Sequence, residues 1–220
     1  SASTIRLGDG RDTITLVAMG AASNASSITL QGDTSTNYGA DLITVSVTGD
    51  LTGLAVKGQG GNDTITVSGL SNSSLVQGNG GADSIVLQDF TGVAIEVSVG
   101  GGTGADTINV VGTLGVVSGQ IFGGGDADSI YAGAVASGID ASLVSIYGGA
   151  GADTITISGQ ADIASGSQFA TLAYSSLSDS TLGSVDLFQV VSGTTSGVAN
   201  GNASGTVTLD VAFGGNAVLS

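Results

Sequence analysis

The 220-residue chain is 41% hydrophobic but only 4% aromatic, with 39 Gly and no Pro, Cys, His or Trp. Eighteen acidic residues against three basic ones (Arg6, Arg11 and Lys57) give a formal net charge of −15, which excludes nucleic acid as a partner because phosphate binding needs Lys and Arg. Triad chemistry, His-ligated metals and thiol chemistry are removed by the same composition, and the chain is read as not an enzyme.

In chain order, the first predicted element is a Gly-rich turn entering a strand, LGDGRDTITL at 7–16. A partial copy, NYGADLITV at 37–45, keeps only the second half of that pattern. Further copies follow as KGQGGNDTITV (57–67), QGNGGADSIVL (77–87), GGGTGADTINV (100–110), FGGGDADSIYA (122–132) and YGGAGADTITI (147–157). They are anchored by Asp12, Asp41, Asp63, Asp83, Asp106, Asp128 and Asp153, at separations of 20 to 29 residues.

Two apolar positions keep a constant frame about these aspartates. Seven residues earlier stand Ile5, Val56, Val76, Val99, Ile121 and Ile146, and two residues later stand Ile14, Ile43, Ile65, Ile85, Ile108, Ile130 and Ile155. Beyond each Ile the sequence alternates, as in Thr64-Ile65-Thr66-Val67, which is the signature of a strand with one buried face. Such a unit has too little apolar surface to fold alone. Stacking units at the ~4.8 Å strand spacing pairs every backbone with the next and aligns the Ile positions into ladders.

The fold class expected is therefore all-β: a right-handed parallel β-solenoid, β-roll-like, of roughly eight to ten coils with one Gly-Asp turn per coil. The returns between coils, such as 68–74 and 133–142, vary in length and are expected to form an irregular edge. Residues 1–159 form the repeat region. Residues 160–220 lack the turn and are read as degenerate coils, a cap or an assembly segment, with strand-like stretches at 184–191 and 205–213.

The turn resembles the glycine- and aspartate-rich nonapeptide of the RTX calcium-binding family, Gly-Gly-x-Gly-x-Asp-x-apolar-x. Gly101-Gly102-Thr103-Gly104-Ala105-Asp106 and Gly148-Gly149-Ala150-Gly151-Ala152-Asp153 match in full. Leu7, Gln59, Asn79 and Asp126 each replace one Gly in another copy, and the copy at Asp41 keeps one Gly. The resemblance covers about residues 5–157. It implies calcium held by the seven anchoring aspartates together with alternate turn carbonyls, which fall at Gly58 and Gly60, Gly78 and Gly80, Gly101 and Thr103, Gly123 and Gly125, and Gly148 and Ala150. Asp9 and Asp126 are read equally as extra ligands or as solvated charges. The family's roll carries two such turns per coil. One per coil here predicts a single line of about four to six Ca2+ ions, cutting the net charge to roughly −7 to −3.

Calcium takes six to eight oxygen ligands, and a Gly-rich turn can direct carbonyls inward. The bland alternative is that each Asp caps its turn by hydrogen bonds to backbone N–H groups. Against it stands repulsion: like charges at 5 Å and an effective dielectric of 20 repel by roughly 3 kcal/mol.

Composition rich in Gly, Ala, Ser, Thr and Val, and poor in Lys and Cys, resembles that of bacterial surface-layer proteins. The expected function is a calcium-stabilised structural segment of a surface layer, filament or adhesin, secreted or at the cell surface, which self-assembles into a homo-oligomer or polymer. No apolar run is long enough for a membrane span, and any signal peptide is expected to lie outside this sequence. The alternative is a ligand-binding face for ice or carbohydrate, built on the outward pairs Thr13/Thr15, Thr64/Thr66 and Thr154/Thr156. That array is interrupted by Ser84/Val86, Thr107/Asn109 and Ser129/Tyr131.

Overall fold

The structure is a computed structural model that describes residues 2–19, 27–34, 38–48, 53–69, 73–88, 95–111, 116–132, 143–158, 171–173, 187–191, 209–210 and 218–219. The strands follow one another in pairs, one pair to a coil. The chain opens with β1 (Ala2–Arg6) and β2 (Thr13–Met19), β3 (Ser27–Gln31) and β4 (Leu42–Thr48), then β5 (Leu54–Gly60) and β6 (Thr64–Ser68). The middle coils are β7 (Ser74–Gly80) and β8 (Ser84–Gln88), β9 (Ile95–Thr103) and β10 (Thr107–Val110), then β11 (Val116–Gly125) and β12 (Ser129–Ala132). Next come β13 (Leu143–Ala150) and β14 (Thr154–Ser158), β15 (Thr171–Ala173) and β16 (Leu187–Val191), then β17 (Leu209–Asp210) and β18 (Val218–Leu219).

Odd strands form one nine-stranded sheet in sequence order and even strands form a second, and every pairing is parallel. The chain is thus a parallel β-solenoid, as the repeat predicts. Nine rungs at the ~4.8 Å strand spacing span roughly 40 Å. No helix occurs among the described residues.

Register makes the frame physical. In the even sheet Ile14, Ile43, Ile65, Ile85, Ile108, Ile130 and Ile155 stack in one column, and all are buried. In the odd sheet Leu30, Val56, Val76, Val99, Ile121 and Ile146 form the facing column. Full burial of each such side chain stabilises by roughly 1.5–3 kcal/mol, so the two columns supply most of the cohesion. Ile5 belongs to the same register but is 42% exposed, because β1 is the outermost strand of its sheet.

The strands β15 to β18 continue both sheets beyond residue 160, at narrower bounds than 184–191 and 205–213. Most of 160–220, and the returns at 70–72 and 133–142, lie outside the described residues.

On the outer face of the even sheet, Thr15, Thr44 and Thr66 stack, but the column then passes to Val86, Asn109 and Tyr131 before Thr156. The outward array is not uniform. On the odd sheet the outer column includes Phe122 and Tyr147, in an edge-on contact at 6.4 Å between ring centroids.

Candidate metal centre

Each coil bends from its odd strand to its even strand through the Gly-Asp turn, and the three glycines of the turn have different physical reasons. The second position has positive φ: Gln59 at 84°, Asn79 at 80°, Gly102 at 123°, Gly124 at 128° and Gly149 at 109°. The fourth position also has positive φ, at Gly61, Gly81, Gly104, Asp126 and Gly151. A side chain at Gly102 or Gly124 would moreover fall on the carbonyl of the preceding coil.

The first position is not left-handed; it is Gly for lack of space. A Cβ on Gly58, Gly78, Gly101, Gly123 or Gly148 would strike the carboxylate of the Asp five residues later, Asp63, Asp83, Asp106, Asp128 or Asp153. The carboxylates therefore point inward, and all five are buried, as is Asp41.

Their hydrogen bonds run between coils. Asp41 Oδ1 accepts from Asp12 N at 2.8 Å, Asp63 Oδ1 from Asp41 N at 2.8 Å, and Asp83 Oδ1 from Asp63 N at 2.7 Å. The series continues with Asp106 Oδ1 from Asp83 N at 2.7 Å, Asp128 Oδ1 from Asp106 N at 2.8 Å and Asp153 Oδ1 from Asp128 N at 2.8 Å. This is a capping bond of the bland kind, except that each Asp caps the coil before its own.

The second oxygen carries the chemistry. Oδ2 of Asp41, Asp63, Asp83, Asp106 and Asp128 is buried without a hydrogen-bond partner. Beside it, in the space a Cβ would fill, lies a glycine carbonyl of the next coil. For Asp63 this is Gly78 O, 2.9 Å from the Cβ position of Gly58, and for Asp83 it is Gly101 O, 2.7 Å from that of Gly78. Gly58 O takes the same place for Asp41, Gly123 O for Asp106 and Gly148 O for Asp128. A carboxylate oxygen without a donor thus shares a buried space with a second acceptor, the backbone carbonyl. A cation or a proton answers that arrangement.

The carboxyls titrate accordingly. Burial, the largest cause, raises Asp63 and Asp106 to about 6, Asp83 to about 7 and Asp128 to about 8. The bond from the preceding coil's amide lowers each, and neighbouring ladder carboxylates or Asp126 raise it again. Asp41 is raised by burial, with repulsion from Asp33 and Asp12 adding to it.

Tested against calcium, the donors fit in kind: carboxylate and carbonyl oxygen only, which suits a hard cation. The residues that would hold it are Asp41 with Gly58, Asp63 with Gly78, Asp83 with Gly101, Asp106 with Gly123 and Asp128 with Gly148. Among the described residues no point gathers three or more carboxylates, so backbone oxygen must complete each sphere.

The repeat singles out other residues as well. Gly60, Gly80, Thr103, Gly125 and Ala150 stack in register. A Cβ on Gly80 or Gly125 meets no Asp atom within 4 Å, and Gly60 lies under the Tyr38 ring. The first-position glycines are at the carboxylates, and the side-chain positions of the third are not. Asp12, in the outermost coil, is only half-buried, and Leu7 stands where later coils have the accommodating Gly. Asp9 is exposed and accepts from Thr34 Oγ1 at 2.6 Å. Asp126 is also exposed, and its Oδ2 accepts from Gly104 N at 3.2 Å.

One residue escaped the repeat pattern. Asp41 uses Gly32, nine residues before it, as its accommodating glycine, so its turn holds four extra residues. Asp33, at the second position of this turn, lies in the interior, 3% exposed, with Oδ2 accepting from Gly39 N at 2.6 Å and Oδ1 without a partner. The signal was Leu30-Gln31-Gly32, which repeats the apolar-x-Gly entry of Val56-Lys57-Gly58 at a displaced spacing. Compared with known proteins, the chain matches no protein-family model, no curated protein and no solved structure, so the site is read from its own geometry.

Proposed function

We propose that this protein is a calcium-stabilised structural solenoid of the bacterial cell surface or extracellular matrix, an RTX-type segment that self-assembles. The observation that carries the reading is the buried column of Asp Oδ2 atoms, each unpartnered and each beside a glycine carbonyl of the next coil. Bound calcium neutralises those oxygens and ties consecutive coils together. The five gaps from Asp41 to Asp128 give five ions in a single line. A chain without His or Cys and with three basic residues has little to catalyse with, which supports a mechanical role over an enzymatic one.

A calcium-dependent fold suits a secreted or cell-surface protein, because such a chain stays unfolded at low cytosolic calcium and folds where calcium is millimolar. Parallel solenoids end in unpaired strand edges, which supports assembly with further copies. The interrupted outer Thr column gives no preference to ice binding. Circular dichroism with and without a chelator tests the reading, together with light scattering on calcium addition. The expected result is loss of β signal on chelation, recovery with calcium rather than magnesium, and growth in particle size. A β signal unmoved by chelation at pH 7.5, with no calcium taken up, overturns it.

A further inference from the structure

The gap between the second and third coils is unlike the others. There Gly58 O and Asp41 Oδ2 meet in the space left by the missing Cβ of Gly32. Asp33 immediately follows that glycine, and its own amide donates to Gly58 O at 3.4 Å. Its Oδ2 is committed to Gly39 N, while Oδ1 is buried and without a partner. The charge of Asp33 acts on Asp41 and, more weakly than burial does, on Asp63, raising both carboxyls. No positive side chain is seen to pair with them among the described residues: Arg11 lies in an exposed turn, and Arg6 and Lys57 belong to the outer column with Gln31 and Gln77.

We infer that Asp33 and Asp41, with the Gly58 carbonyl, form a divalent-cation site of higher charge and higher affinity than the repeat sites, which loads first when calcium rises. The site rests on the calcium reading above but goes beyond the repeat motif, because Asp33 stands at the second turn position, where later coils have Gln59 and Asn79. Two carboxylates in place of one raise affinity through ligand charge, since calcium sites are tuned by the number of charged ligands. An ion there fixes the turn of the second coil, and the following coils then add to a formed template, as expected when solenoid folding nucleates at one point and spreads.

Tyr38 provides an optical reporter. Its ring covers Gly60 and it is separated by one peptide bond from Gly39, whose amide binds Asp33. Terbium, a calcium substitute excited through nearby tyrosine, is titrated into the calcium-free full chain and followed by luminescence, with calcium uptake measured in parallel by calorimetry. The wild type is expected to show a tight class of about one ion and a weaker class of several. Asp33→Asn, which keeps an acceptor for Gly39 N, weakens the tight class by at least about tenfold and leaves the weaker class in place. Asp128→Asn removes a weaker ion and leaves the tight class. Tyr38→Phe removes the luminescence of the first equivalent without changing calorimetric binding.

A single class of sites in the wild type, or a tight class untouched by Asp33→Asn, overturns the inference while leaving the repeat sites standing. Absence of any calcium uptake overturns both readings. If Asp33→Asn does not fold, the wild type against Tyr38→Phe decides, because a first equivalent that does not depend on Tyr38 places the tight site elsewhere.

Discussion

Gly101→Ala tests the inward-facing ladder at one methyl group. The new Cβ would lie on Asp106 Oδ2, 2.5 Å from Gly123 O and 2.8 Å from Asp106 Cβ. Neither the backbone carbonyl nor the short Asp side chain can give way cheaply. Overpacking of this kind costs about 1–3 kcal/mol. Turning the carboxylate out also breaks its 2.7 Å bond from Asp83 N, and an orphaned buried N–H costs about 1–3 kcal/mol more. A total of about 2–6 kcal/mol corresponds to a fall in melting temperature of roughly 4–24 °C for a domain this size. The neighbouring Gly100 is the control: a Cβ there meets nothing within 4 Å. Gly100→Ala is expected to be neutral or to stabilise by up to about 1 kcal/mol, through the unfolded state. The assay is thermal unfolding followed by circular dichroism, in calcium and in chelator, with calcium stoichiometry measured on each variant. Gly101→Ala is expected to lose at least one ion and Gly100→Ala none. Equal melting of the two variants in both buffers refutes the packing scheme.

Asp106→Asn keeps the acceptor for Asp83 N and replaces the unpartnered oxygen with an amide that can donate to Gly123 O. At pH 7.5 it is expected to raise stability in chelator by about 1–3 kcal/mol and to lower it in calcium; a change of one sign in both buffers indicates a cap without an ion. Without metal, the folded pKa values of about 6 to 8 at Asp63, Asp83, Asp106 and Asp128 lie above the ordinary carboxyl value of 3.8. Raised values make the metal-free fold most stable below about pH 4, and stability is lost as pH climbs through 6 to 8. Each carboxyl protonated only in the fold contributes a slope of about −1.4 kcal/mol per pH unit, and saturating calcium should flatten the melting profile. A chelated sample whose melting temperature holds level from pH 4.5 to 8 contradicts the buried ladder. Gln59, at φ 84°, sits in a conformation that favours Gly, so Gln59→Gly is expected to stabilise by about 0.5–1 kcal/mol in denaturant titrations. Asn79→Gly should gain less, because Asn tolerates the left-handed region.

The coil and its core were legible in the sequence because both follow from period. Ile at two residues after each Asp and Val or Ile at seven before it are spaced by local strand geometry, and those positions are the buried columns of the two sheets. The Asp column was legible for the same reason, since residues at one place in every repeat stack. Asp33 was not, because four extra residues between Gly32 and Asp41 take that turn out of frame, and only the approach of Gly32 to Asp41 and Gly58 restores the alignment.

Sequence alone determined that the chain stacks as parallel coils with one aspartate per turn. Repetition and alternation are local properties, and backbone pairing then leaves one way to bury the apolar face. Which way each carboxylate points was decided only by tertiary structure. That direction depends on the Cβ-free space at the first turn glycine, on the amide of the coil before and on the carbonyl of the coil after, and these groups stand 20 or more residues apart along the chain.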